Sequence, residues 1–151
     1  MKYRIVDLAQ DYPGRITDWA EARNSFLDQL GPGEWILWKS EDEEHPLSLI
    51  HYLAGLTPRY PYYAIRRINL VHGKYPEWAN PDFQPMLVSG RVRYVGRLHE
   101  HVVPRKPYGI IDYPIIHCQN GPRPYHSGWK QTPAYRPVHA VKKMVEVLRG
   151  R

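Results

Sequence analysis

Cysteine occurs once among the 151 residues, at Cys118. No disulfide can therefore close within one chain, which excludes a disulfide-stapled scaffold and fits a reducing compartment. No apolar run approaches the roughly 18 residues that a membrane-crossing helix requires. The opening residues Met1-Lys2-Tyr3-Arg4-Ile5-Val6-Asp7 lack the apolar core of a signal peptide. These absences predict a soluble, cytoplasmic protein with no membrane span. Internal repeats and low-complexity tracts are lacking too, as is any second-domain boundary. Phe is scarce, with 2 residues against 12 Tyr, and the 15 prolines imply many loops. A hydrophobic share of 42% and a charged share of 24% are those of an ordinary globular chain. The length suits one domain, 1–151, with a real core. The net charge of +6 permits nucleic acid, anionic lipid or phosphorylated ligands as partners and selects none of them.

The most informative stretch runs from Gly33 to Glu44. After the Gly31-Pro32-Gly33 turn comes Trp35-Ile36-Leu37-Trp38, an apolar run of strand length, and then four acids, Glu41 to Glu44. A buried strand ending in carboxylates is one way to build a site, because ligands of open α/β sheets bind beyond the carboxyl ends of the strands. Clustered carboxylates there suit a hard divalent cation that shares its coordination with phosphates. The bland alternative is a solvated acidic turn that caps the next helix.

The pattern predicts a strand over 3–8, a turn over 11–14 and an amphipathic helix over 18–30 with a capping-box-like start at Asp18 and Glu21. A strand over 34–39 completes a βαβ unit, for which parallel pairing is expected. Pro46 opens a short helix that ends near Gly55. Tyr62 to Val71 reads as a strand, and Gly73 to Pro81 as a loop holding Trp78. Gln84–Val88 and Val92–Val95 flank Ser89-Gly90, which reads as a hairpin. Ile110 to His117 is a further strand, broken by Pro114. Residues 118–136 read as a loop or lid and 137–149 as a C-terminal helix.

Taken in order, several pieces resemble the family-2 glycosyltransferases of GT-A fold, in the branch that decorates lipopolysaccharide cores and similar glycans. They are Ala20-Glu21-Ala22-Arg23-Asn24, Gly33 to Glu44, Pro81-Asp82-Phe83-Gln84, Tyr94-Val95-Gly96-Arg97-Leu98-His99-Glu100 and His117. Members read roughly A-x-x-R-N, G-[DE]-W-[IV]-L-x-[LW]-D-A-D-E, P-D-x-Q-x-R-L-F-x-x-G and Y-x-G-x-[VL]-H-E, followed by a later His. The match spans residues 2 to 118.

The resemblance implies an α/β fold: a shortened GT-A-like, partly Rossmann-like domain with a mixed sheet and a C-terminal helix. It implies transfer of a sugar from a nucleotide-diphosphate sugar to an acceptor hydroxyl on a glycan or protein, assisted by Mn2+ or Mg2+. Asp42 takes the second carboxylate position of the family's Asp-x-Asp metal motif, while Ser40 stands at the first, where its hydroxyl lacks the charge. His99 is then a second metal ligand. Glu100 or Asp82 is the general base. Arg23 and Asn24, with Ser40, lie at the donor diphosphate. His117 reads as a satisfied, half-buried histidine. Met86 stands where the family usually has arginine.

The family's base- and ribose-binding unit has no counterpart among these residues, so a partner chain or self-association is expected along an exposed sheet edge. The alternative function is a non-catalytic binding or structural protein that keeps the fold. Arg91, Arg93 and Arg97, with Tyr94 between them, read as a solvated face. No recognition signature marks a specific nucleic-acid binder.

Overall fold

The computed structural model describes residues 1–119. The predicted C-terminal helix over 137–149, and the loop or lid from residue 120 on, lie outside the described residues. The architecture is α/β, with one mixed sheet of six strands and a separate two-stranded ribbon.

Lys2–Val6 forms strand β1. It stops earlier than its apolar pattern predicts because Asp7 caps a helical turn, α1 (Leu8–Asp11), accepting from the backbone N–H groups of Ala9 and Gln10. Helix α2 (Trp19–Leu27) starts where predicted, with the Asp18 carboxylate accepting from Glu21 N–H. It buries Ala20, Ala22, Phe26 and Leu27. Strand β2 (Glu34–Trp38) follows and pairs parallel with β1, as the βαβ pattern predicts. Four of its five residues are buried.

The acid run departs from a plain solvated turn. Glu43–Glu44 forms a short strand, β3. Helix α3 (Leu47–Ala54) has Pro46 as its N-cap, with no side-chain capping bond, so none of the acids caps it. Strand β4 (Tyr62–Val71) is buried along most of its length. A 3-10 turn (Glu77–Ala79) leads into strand β5 (Asp82–Ser89).

Ser89-Gly90 reverses the chain, but not as the predicted hairpin. Strand β6 (Arg93–Val95) pairs with β7 (His101–Val103) and not with β5. Burial of Val92, Tyr94 and Val102 explains the shift, since these side chains form one apolar face packed towards the core. Strand β8 (Gly109–Gln119) runs through Pro114 instead of breaking there. A register irregularity between Ile65 and Arg67 of β4 absorbs the extra residues of β8. Cys118 and Gln119, the first two residues of the predicted loop, still pair with β4.

The sheet order is β1-β2-β5-β4-β8-β3. β1, β2, β4 and β8 run in one direction, while β5 and β3 oppose them. The core gathers Trp35, Ile36 and Leu37 of β2 with Ile65, Leu87 and Ile115 of the neighbouring strands. Asp7, Ser40, Asp42, Asn69 and His117 lie at or near the carboxyl ends of the four co-directional strands, and Asp82 begins an opposed one. One end of the sheet thus collects the polar side chains. Among the described residues, no helix is long and apolar enough to cross a membrane.

Candidate functional site

Seven residues at this end close a ring of hydrogen bonds. The Ser40 hydroxyl donates to Asp42 Oδ1 at 2.8 Å. Asp42 Oδ2 lies 3.0 Å from His117 Nε2. His117 Nδ1 lies 2.8 Å from Asn69 Oδ1. Asn69 Nδ2 donates to Asp82 Oδ2 at 3.1 Å. Arg67 Nε donates to the same oxygen at 3.0 Å, and its Nη1 reaches Glu43 Oε2 at 3.4 Å. Ser40 N–H closes the ring by donating to Glu43 Oε1 at 2.8 Å. The local fold makes this possible. β3 pairs with β8 so that Glu43 stands opposite His117, and Cys118 N–H donates to Asp42 C=O.

The ring fixes the His117 tautomer. Asn69 Nδ2 also donates to Ala79 C=O at 2.8 Å, so two acceptors orient its amide and turn Oδ1 towards His117. Nδ1 therefore carries a hydrogen, and Nε2 faces the Asp42 carboxylate. An imidazole lone pair and a carboxylate oxygen 3.0 Å apart need one positive species between them, a proton or a cation. The bond to His117 holds the Asp42 carboxyl down to about 2, against the opposing pull of its partial burial. Burial alone would raise the proton affinity of Asp82. The Arg67 charge and the bonds from Gln84 and Asn69 outweigh it, and the net shift is downward.

A second cluster faces the ring across a cavity of about 310 Å3. The Arg23 guanidinium lies 4.7 Å from the Trp38 ring centre and 5.3 Å from that of Tyr94. Its Nε donates to Glu100 Oε1 at 2.9 Å, with both side chains largely buried. Trp38 Nε1 donates to the Tyr94 hydroxyl at 2.8 Å. Burial pushes that phenol up to about 12. Asp7, Lys39, Glu43 and Arg67 complete the charged part of the wall.

The residues singled out in the sequence fare differently. Asp42 and Ser40 belong to the ring. His99 does not bond to Asp42: it is exposed, and His117 is the partner instead. Asn24 spends both ends of its carboxamide on the backbone of Tyr94, accepting from its N–H at 2.8 Å and donating to its C=O at 2.9 Å. Arg23 and Glu100 are brought together. Asp82 is saturated, with Gln84 Nε2 donating to its second oxygen at 2.6 Å. Met86 is buried. Arg93 pairs with Asp28 at 2.9 Å, and Arg97 donates to Thr17 C=O.

Sequence reasoning missed Asn69, Arg67 and Glu43 as site builders. Asn69 carried a signal, being a polar residue inside an apolar strand run. Among the described residues, no group of three or more His, Cys, Asp and Glu side chains is arranged to hold a metal ion. The chain matches no protein-family model and no curated protein.

Proposed function

We propose that this chain is a GT-A-like glycosyltransferase domain that moves a sugar from a nucleotide-diphosphate sugar to an acceptor hydroxyl, with Mn2+ or Mg2+ beside the diphosphate. The observation that carries the reading is the His117–Asp42 pair. Its 3.0 Å spacing is that of neighbouring ligands about an octahedral ion with bonds of about 2.1 Å. A locked Nδ1–H is how metal-binding imidazoles are usually oriented. Two protein ligands suit a cation that takes its remaining oxygens from phosphate and water. Bound there, the cation would neutralise the leaving diphosphate.

The chain's own groups supply the rest. Arg23, held against two rings, offers a fixed cation for phosphate oxygens. Glu100 has one oxygen committed to Arg23 and the other unbonded among the described residues, so it is the better-placed base for the acceptor hydroxyl. Asp82, whose oxygens accept from Arg67, Asn69 and Gln84, fits an orienting role instead. The outer edge of β1 carries no strand among the described residues, which supports extension of the sheet there by a partner chain or second copy.

Calorimetric titration with UDP and GDP, with and without Mn2+, tests the reading. Cation-dependent binding should weaken at least about tenfold in Asp42→Ala and in His117→Ala. His99→Ala should bind like the parent chain. Ser40 contributes no charge, so affinity for the bare cation should be low. Absence of nucleotide binding under every condition would return the chain to the non-catalytic reading.

A further inference from the structure

The end of the sheet opposite the candidate site carries cations and no acid on three loops. These are Gly55 to Pro61 before β4, Ser89 to Val92 after β5, and Pro104 to Tyr108 before β8. Arg59, Arg91, Arg105 and Lys106 lie on them, all exposed, and none forms an ion pair among the described residues. Over residues 1–119 the acids and the Lys and Arg residues are equal in number. The cluster is therefore a segregation of charge within the fold, with Glu41 to Glu44 and Asp82 gathered at the other end.

The loops are bonded into one surface. Ser89 Oγ donates to Pro61 C=O at 2.7 Å, and Arg91 N–H donates to that hydroxyl at 3.3 Å. The Tyr62 hydroxyl donates to Arg105 C=O at 2.6 Å, and Arg59 N–H donates to the Tyr63 hydroxyl at 2.7 Å. The cations are thus held near one another before any partner arrives, which lowers the ordering cost of binding.

Fixed cations attract any polyanion, and the side chains among them choose between polyanions. Tyr60 and Tyr108 are 39% and 41% exposed, and Ile110 is 61% exposed. Rings with an apolar body and a hydroxyl tip sit at the headgroup level of a bilayer, and nearby Lys and Arg are drawn to its anionic lipids. A nucleic-acid strand asks for something else, a cationic groove with ring faces open to bases. Here the Tyr108 ring stacks on Tyr62, Tyr60 stands edge to face with Tyr63, and the cations are spread over three loops.

We propose that this end of the sheet docks the chain on the surface of an anionic phospholipid bilayer, with Arg59, Arg91, Arg105 and Lys106 at the phosphates. The acids at the other end lie about 20 Å away along β4, beyond the screening length of about 8 Å at physiological salt, so they hardly oppose the contact. Because β4 and β8 bring Asn69 and His117 near their opposite ends, the docked chain turns the candidate site towards water. The docking does not depend on the transferase reading.

Co-sedimentation of the full chain with vesicles tests it, using phosphatidylcholine alone and with about one-third phosphatidylserine. The mixed vesicles should retain the chain, and about 0.5 M NaCl should release it. Arg105→Gln combined with Lys106→Gln should weaken binding about 25-fold. Arg15→Gln combined with Lys74→Gln removes the same charge from exposed positions at the other end and should weaken it less than about threefold. These exposed substitutions leave the core untouched, so both variants report on binding. Anisotropy of a labelled oligothymidine strand is measured on the same samples. The proposal is overturned if mixed vesicles retain no more chain than neutral ones, or if the two double variants weaken binding alike. It is also overturned if the Arg105 and Lys106 pair controls oligothymidine binding and not vesicle binding.

Discussion

The hydrogen-bonded ring and the Arg23 cluster face each other across one cavity, yet they are built in opposite ways. The ring ties β3, β4, β5 and β8 together through side chains and one backbone N–H, and most of its oxygens are already spoken for. The Arg23 cluster leans on two aromatic faces, and among the described residues its ion pair leaves a Glu100 oxygen unbonded. Saturated polar networks fix geometry. A cation held mainly by rings keeps donors for a ligand. One wall therefore positions, and the other is equipped to engage.

Removing the hub of the ring is the strongest way to break this contrast. Arg67→Met strands Glu43, whose side chain is 2% exposed, together with Asp82. A loss of about 3–5 kcal/mol is expected in urea denaturation. A loss below about 1 kcal/mol would show that the ring does not position anything. Asn69→Leu ranks next, at about 1–3 kcal/mol, because Asp82 loses a donor and His117 its orienting acceptor. Nitrogen-15 NMR of the parent chain should show His117 with Nδ1 protonated. An Nε2–H-only tautomer would contradict the ring as drawn.

On the opposite wall, Tyr94→Phe takes the acceptor from Trp38 Nε1 and should cost about 1–2 kcal/mol. In the parent chain, ultraviolet titration should find one tyrosine ionising near 12. The neutral phenol is favoured in the folded state, so its contribution holds below about pH 10 and is lost as pH rises towards 12.

Acid sharpens the comparison more gently. Asp42 has a lowered carboxyl, so its stabilisation holds above about pH 4 and disappears as pH falls towards 2. Asp42→Asn should flatten melting temperature against pH in that window, by little, because the side chain is 44% exposed. The smallest effect belongs to the ribbon's surface. Arg93→Ala should change stability by less than about 0.5 kcal/mol, measured by thermal melting, since its pair with Asp28 is half in water.

The elements with strong periodicity were legible in the sequence. Helix α2, strands β2 and β4, and the parallel pairing of β1 with β2 follow from apolar spacing and a capping aspartate. The site was legible only in part. Asp42 beyond a strand end was anticipated by motif order, whereas the pairing of Arg23 with Glu100 was not. What escaped was long-range pairing. Glu43 reads as one acid in a charge run until it stands opposite His117, a strand away in space and far along the chain. His99 looked like the metal partner because it stood next to Glu100. Its exposure follows from the ribbon, whose buried face is taken by Tyr94 and Val102. The hairpin at Ser89-Gly90 failed for a related reason: β5 already has β2 and β4 as neighbours, so no edge was left for β6.

The carboxamide of Asn24 has a consequence for how this protein meets other chains. Alternate residues of a strand point their backbone groups to opposite sides, so three-residue β6 turns only those of Tyr94 away from β7. A single amide, acting as a one-residue imitation strand, occupies both of them. An incoming peptide finds no open ladder there, and the ribbon is sealed against edge-to-edge aggregation on that side. Asn24→Leu would reopen it, trading one side chain on a helix for an adhesive edge.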